Sequence, residues 1–306
     1  MKELTTHLRK DVRLLMTDPM FIILLVALAG IAFVMALISC VGYVNGMTYG
    51  SDVVTQAFLE LEQRKALAGY WGAIAGIFMA IFLVVASLAL TGEKESGMVR
   101  YVLTHRTSKL WFYASKYLVL LSVVIMGMFI ALAAYLVVFS FMDVPMLDLG
   151  ALAASMVFPL LIAMVFSAIG LALSTMSGKK AGAVVAAVGI FLILTSLSPI
   201  SIGLGVEAAY KVNPDVTAQN VTAYIPLEYK LLIYANPMVL GYGTDLLMDT
   251  TSDGDFYMNP ELFDPAWGAA LGLSMVLAWF VIGLAGFSRE RMDTSLLARL
   301  KGRLKR

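Results

Sequence analysis

The sequence predicts an all-α polytopic membrane protein: six transmembrane helices, an N-terminal interfacial amphipathic helix and a re-entrant or interfacial external segment before the last helix. Three observations predict it. Of 306 residues, 60% are apolar and only 14% charged, whereas soluble domains carry charge on roughly a quarter of their residues. Mean hydropathy is +0.85. The charges also avoid six stretches, 20–44, 70–91, 117–142, 150–175, 181–206 and 266–287, none of which contains Asp, Glu, Lys, Arg or His. Roughly 20 helical residues cross the ~30 Å hydrocarbon layer, and helices satisfy their own backbone groups there. This composition excludes a soluble enzyme. The net charge of +1, from 22 basic and 21 acidic residues, supplies no field for a nucleic-acid partner. A single cysteine, Cys40, excludes an intrachain disulfide and a multi-cysteine metal site, and His7 and His105 are too few for a His-rich cluster.

Orientation follows from lysine and arginine. Eighteen lie in the N-terminus, the 92–116 loop, Lys179–Lys180 and the tail from Arg289; four, Arg64, Lys65, Lys211 and Lys230, lie in the alternate connections. The positive-inside rule then puts both termini in the cytoplasm, which leaves 45–69, 143–149 and 207–265 outside. The sequence Leu37-Ile38-Ser39-Cys40 resembles a lipoprotein cleavage box, but the long polar lead with Glu3, Asp11 and Asp18 and the length of the apolar run argue against a signal peptide.

Residues 3–16 place Leu4, Leu8, Val12 and Leu15 at helical spacing with Arg9, Lys10 and Arg13 off that stripe, the pattern of a helix lying in the interface. It serves equally as an anchor or as a mechanical element. Asp18 is placed to cap the first span, with Pro19 at its first helical position. Pro159 and Pro199 are expected to kink spans four and five, since each lacks a backbone donor. Gly72/Gly76, Gly178/Gly182 and Gly268/Gly272 are small pairs four apart, suited to close helix packing within the bundle or at a subunit interface. In the external segment, Tyr224-Ile225-Pro226, Leu231–Tyr234 and Asn236–Leu240 form an apolar stretch too short to span. Asp249, Asp253 and Asp255 imitate a calcium loop, but Pro260 occupies the position of its bidentate ligand, with Glu261 one residue late. A solvated acidic loop fits better. The tail 288–306 sets seven basic residues around Leu296, Leu297, Leu300 and Leu304, a basic amphipathic helix drawn to anionic lipid.

An energy source is not visible in the chain. No ionisable group falls within the spans to bind a coupled ion. Gly178-Lys179-Lys180 lacks the earlier Gly and the following Ser or Thr of a phosphate loop. No intramembrane Asp pair, Ser-His set or histidine cluster supports hydrolysis. The 19 methionines lie mostly in spans, where methionine fills gaps.

The 92–116 loop carries the most information. It runs Gly92-Glu93-Lys94-Glu95-Ser96-Gly97-Met98-Val99-Arg100-Tyr101-Val102-Leu103 and reaches Lys116 at the third span. Glu95-Ser96-Gly97, Val102-Leu103, Ser108-Lys109 and Lys116 resemble, in order and spacing, the type-2 ATP-binding cassette permease family: its Glu-x-Gly element, short Leu-rich helix, small-residue turn and Lys opening span three. Arg106 departs from the Pro usual there, and Asn236-Pro237 looks like the family's Asn-Pro element before the last span. The resemblance implies a single permease domain over 1–306, divided into a cytoplasmic interfacial helix (1–19), a six-helix bundle (20–287) and a basic tail (288–306). It implies the transmembrane subunit of a prokaryotic exporter in the cell membrane, paired with a second permease subunit as homodimer or heterodimer. Two cytoplasmic ATPase subunits would bind the ATP and Mg, with no cofactor, metal or catalytic residue on this chain.

The same resemblance makes the loop after span two a coupling helix docked on the ATPase, with Glu93, Glu95, Gly97, Val99, Arg100, Val102, Leu103 and Arg106 as coupling residues and Asn236 and Pro237 as an external element. The residues agree with that reading. Val99, Val102 and Leu103 form an i, i+3, i+4 apolar stripe, Glu93, Glu95, Arg100 and Arg106 can orient it, and Gly97 permits a sharp turn. A solvated loop with interfacial aromatics is the alternative for the segment, and an energy-independent channel, facilitator or membrane scaffold the alternative for the protein.

Overall fold

The structure, a computed structural model, describes residues 2–49, 56–99, 108–215, 217, 221–250 and 264–289. Among these, helices account for nearly every element. They are α1 (Lys2–Thr17), α2 (Pro19–Tyr49), α3 (Gln56–Glu95), α4 (Lys109–Phe141), α5 (Leu149–Ser155), α6 (Val157–Met176), α7 (Lys180–Val212), α8 (Val221–Tyr224), α9 (Leu227–Ala235), a 3-10 turn at Pro237–Gly241, α10 (Tyr242–Leu247) and α11 (Pro265–Arg289). Six helical segments of the described residues are long and apolar enough to cross a membrane, with α5 and α6 together forming the fourth.

The helices outrun the apolar stretches that announce them. α3 has 40 residues, about 60 Å at 1.5 Å per residue, twice the ~30 Å hydrocarbon layer. Its extra turns carry Glu60, Glu62, Arg64 and Lys65, with Lys65 paired to Glu62 at 2.9 Å. Charged residues sustain a helix in water as well as apolar ones do, so a span bounded by its first charge is cut short. The connection expected over 45–69 is therefore mostly helix.

The two prolines act differently. The chain breaks at Met156, between α5 and α6, three residues before Pro159. A proline ring clashes with the carbonyl four residues back, here Ser155, but is tolerated in the first turn of a new helix. Pro199 instead sits inside α7, which stays helical from Lys180 to Val212. Asp18 caps α2 as expected, accepting the Met20 amide at 2.9 Å.

α6 is the central post. Of the apolar window of the span it forms with α5, 72% is buried, against 11% for α7 and 17% for α11. It packs on α3 and α11, while α2 packs on α4 and α3. One apolar cluster joins Leu28, Trp71, Phe78 and Phe139 of α2, α3 and α4, and a second joins Leu83, Phe158, Phe166 and Ile169 of α3 and α6. Close approach of α3 and α6 depends on Gly170: a Cβ there would run into the Leu83 carbonyl oxygen and lie 2.7 Å from Ala86 Cβ. Among the expected small pairs, Gly268 is buried and Gly272 packs near Leu240 and Leu161, whereas Gly72, Gly76, Gly178 and Gly182 face open space.

α1 lies against α4, with its buried face turned from the expected stripe. Asp11 is 7% exposed, while Val12 is 38% exposed. His7, Leu8, Asp11 and Leu15 follow the side that meets the bundle, and Val12 does not. The reason is a cation waiting for Asp11 on α4.

Candidate functional site

The last turn of α3 carries three consecutive charges, Glu93, Lys94 and Glu95, and each is tied to a different part of the bundle. Glu93 Oε1 accepts from Lys116 Nζ at 2.6 Å, and the same ammonium donates to Asp11 Oδ1 at 2.8 Å. Ser115 Oγ adds a bond to Asp11 Oδ2 at 3.2 Å, and Lys116 Nζ lies 5.4 Å from the centre of the Phe112 ring. His7 of α1 meets the same ring edge-on at 5.7 Å. One buried cation thus joins α1, α3 and α4. Such a pair is held only when geometry and further hydrogen bonds offset its desolvation.

Lys94 and Glu95 serve two helix ends. Lys94 Nζ donates to the Thr175 carbonyl in the last turn of α6 at 2.7 Å, and Glu95 Oε1 accepts the Lys180 amide, the first of α7, at 2.6 Å. A helix C-terminus leaves carbonyls unpaired and partially negative; an N-terminus leaves amides unpaired and partially positive. Adjacent residues of opposite sign therefore satisfy opposite ends of two consecutive helices across the short link 177–179. Lys179, the residue preceding α7, makes no side-chain capping bond of its own. Thr91 reinforces the tie through a 3.4 Å bond to the Ser174 carbonyl. At the start of α4, Lys109 Nζ likewise donates to the Ser288 carbonyl at the end of α11, at 2.9 Å.

Beyond Glu95 the chain turns sharply. Gly97 has φ +76°, a left-handed conformation in which a side chain is strained. Glu95, Ser96 and Met98 are exposed at this tip. Val99 points inward, 4% exposed, into a cluster with Phe112, Tyr113 and Phe287. Arg100, Val102, Leu103 and Arg106 lie outside the described residues, as do most of the acidic segment (251–263) and the tail beyond Arg289.

Near the middle of α7, Asn236 Nδ2 donates to the Leu194 carbonyl at 2.8 Å while its Oδ1 accepts the Met238 amide at 3.1 Å, capping the 3-10 turn opened by Pro237. Leu194 precedes Thr195, whose carbonyl loses its usual donor to Pro199. Asn236→Ala removes both bonds. At about 1 kcal/mol each, thermal unfolding of the detergent-solubilised protein should register a loss of about 2 kcal/mol; an unchanged midpoint would show that Asn236 holds nothing.

The site as built contains residues that spacing did not reveal. Spacing marks Asp11 only as part of a polar lead, and Lys94 only as a loop charge. Their partners lie 81 to 105 positions away, and the Thr175 carbonyl that Lys94 grips is a backbone group without any sequence signature. No three His, Cys, Asp or Glu side chains among the described residues lie close enough to hold a metal ion. A family model described as "ABC-2 family transporter protein" matches residues 6–292, from within α1 to just past α11. No curated protein matches the chain.

Proposed function

The chain belongs to the ABC-2 transporter family, and from that premise we propose that it is the permease half of a prokaryotic ATP-driven exporter, moved by a separate ATPase pushing on the end of α3. It is a multi-pass membrane protein and a membrane permease component of an ABC transporter. The finer reading is that 1–306 acts as one permease domain in the cell membrane, with both termini cytoplasmic. It pairs with a second permease subunit, and ATP and Mg are bound and used on the partner ATPase. The translocation path then lies between two permease subunits.

What supports this is the knot at the last turn of α3. A coupling element must pass a displacement to several spans at once. Here Glu93 reaches α1 and α4, Lys94 reaches the end of α6 and Glu95 reaches the start of α7. A push delivered at Glu95–Met98 moves ends of the third, fourth and fifth spans together. The apolar docking surface falls to Val102 and Leu103, with Arg100 and Arg106 fixing its orientation, since Val99 is committed to the chain's own core. Such a device does work only if the ATPase binds the two permease states with different free energy.

Glu95→Ala and Gly97→Pro test it. The first removes the cap on α7, worth about 1 kcal/mol, and should lower coupled transport roughly fivefold. Glu95→Gln, which keeps an acceptor oxygen, should lose less. The second cannot adopt φ +76°, because proline is held near −65°, and should abolish coupling. Membrane insertion is expected to survive in both. ATPase pull-down and transport at wild-type levels in both variants would overturn the assignment, as would emergence of the chain without any ATPase from cells expressing it at natural levels.

A further inference from the structure

Between α1, α2, α3 and α4 lies a cavity of about 500 Å³, within the size range of sites for small ligands. Leu24, Val85, Leu88, Leu120 and Val123 line its apolar part, and Asp11, Asp18, Glu93 and Lys116 line its polar end. The charges there do not balance: three carboxylates face one ammonium. Lys116 is spent on Asp11 Oδ1 and Glu93 Oε1, Ser115 serves Asp11 Oδ2, and Asp18 Oδ1 holds the Met20 amide. Glu93 Oε2 is buried with no hydrogen-bond partner among the described residues. A buried carboxylate oxygen left unpaired is unfavourable, and an apolar groove lined at one end by that carboxylate selects a ligand with both parts.

We propose that this cavity binds an amphiphile whose ammonium head pairs with the Glu93 carboxylate at the polar end while its hydrocarbon chain fills the groove beside Leu88 and Val123. A cation–carboxylate hydrogen bond of this kind is the stronger sort. The surplus negative charge rejects an anionic head. The chemistry is met by a bilayer aminolipid such as phosphatidylethanolamine or by a free hydrophobic amine. Either ligand would bridge α1 to the spans at the point where α3 is knotted. The site does not depend on the ATPase coupling proposed above, because binding is read on the permease without nucleotide.

The test is native mass spectrometry of the full-length chain, with whatever subunits copurify, titrated with dioleoylphosphatidylethanolamine, dioleoylphosphatidylglycerol or dodecylamine. The ethanolamine lipid should be retained at least about fivefold better than the glycerol lipid, and dodecylamine should displace it. Glu93→Gln should bring its retention down to that of the glycerol lipid. Leu88→Trp, which fills the groove and leaves every charge in place, should do the same, and it decides the matter if the first variant does not fold. Retention of dodecylamine but not of the ethanolamine lipid supports the site with a free amine as its ligand. Equal retention of the two lipids by a wild type that does not retain dodecylamine, or wild-type retention by the folded variants, overturns the proposal.

Discussion

Lys116→Met should be the most damaging change of a single polar residue in this chain. It removes the cation that both Asp11 and Glu93 face and leaves two carboxylates in a poorly hydrated pocket. Breaking a buried pair by deleting one partner costs about 3–5 kcal/mol, because the remaining charge stays uncompensated. The damage should begin at α1, whose buried face is centred on Asp11. Trypsin should then cut after Arg9 and Arg13 far faster than in the wild type, and the unfolding midpoint should fall. The triple variant Asp11→Leu, Lys116→Met, Glu93→Leu tests the cause, since replacing a whole buried ion cluster by apolar groups of similar volume is often close to neutral. It should regain most of the lost stability. Wild-type proteolysis of Lys116→Met alone would mean that the cluster holds nothing together.

Gly170→Val is the second large effect. At this crossing the obstacle is the Leu83 carbonyl and the Ser87 amide nitrogen, the latter 3.1 Å from an added Cβ. Backbone cannot rotate aside as a side chain end does, so α3 and α6 would have to separate along the most buried seam of the protein. Overpacking of this kind costs up to about 3 kcal/mol, occasionally more. Expression and thermal stability should both fall sharply. Gly30→Ala is the control: nothing lies within 4 Å of a Cβ there, and alanine favours a helix over glycine by about 1 kcal/mol. That variant should be at least as stable as the wild type. Equal behaviour of the two variants would show that α3 and α6 do not cross at Gly170.

The comparison of these two glycines shows what was legible beforehand. Six apolar runs announced six spans because hydrocarbon tolerates so few charges. The runs did not announce helix ends, since α3 continues through Glu60–Lys65 where lipid no longer screens its residues. Paired small residues mark Gly268/Gly272 but not Gly170, whose need for space comes from another helix rather than from its neighbours in sequence. The face of α1 was misplaced because an apolar stripe counts Asp11 as polar, although Lys116 makes it the most committed residue on that helix. Glu95, Gly97 and Lys116 stand out through the family resemblance, and Glu93 as a charge beside them. What each one grips was not, because an amide at Lys180 or a carbonyl at Thr175 leaves no trace in residue identity.

The straddling pair Lys94 and Glu95 also constrains the order of biogenesis. Their acceptor and donor arrive 81 and 85 positions later. A ribosome has therefore released the first three crossings, and begun the fifth, before this turn can close. Until then the early hairpins remain free to adjust their depth in the bilayer. Latching is a late event, and it comes as one step, since the same short link between the fourth and fifth crossings delivers both missing partners together.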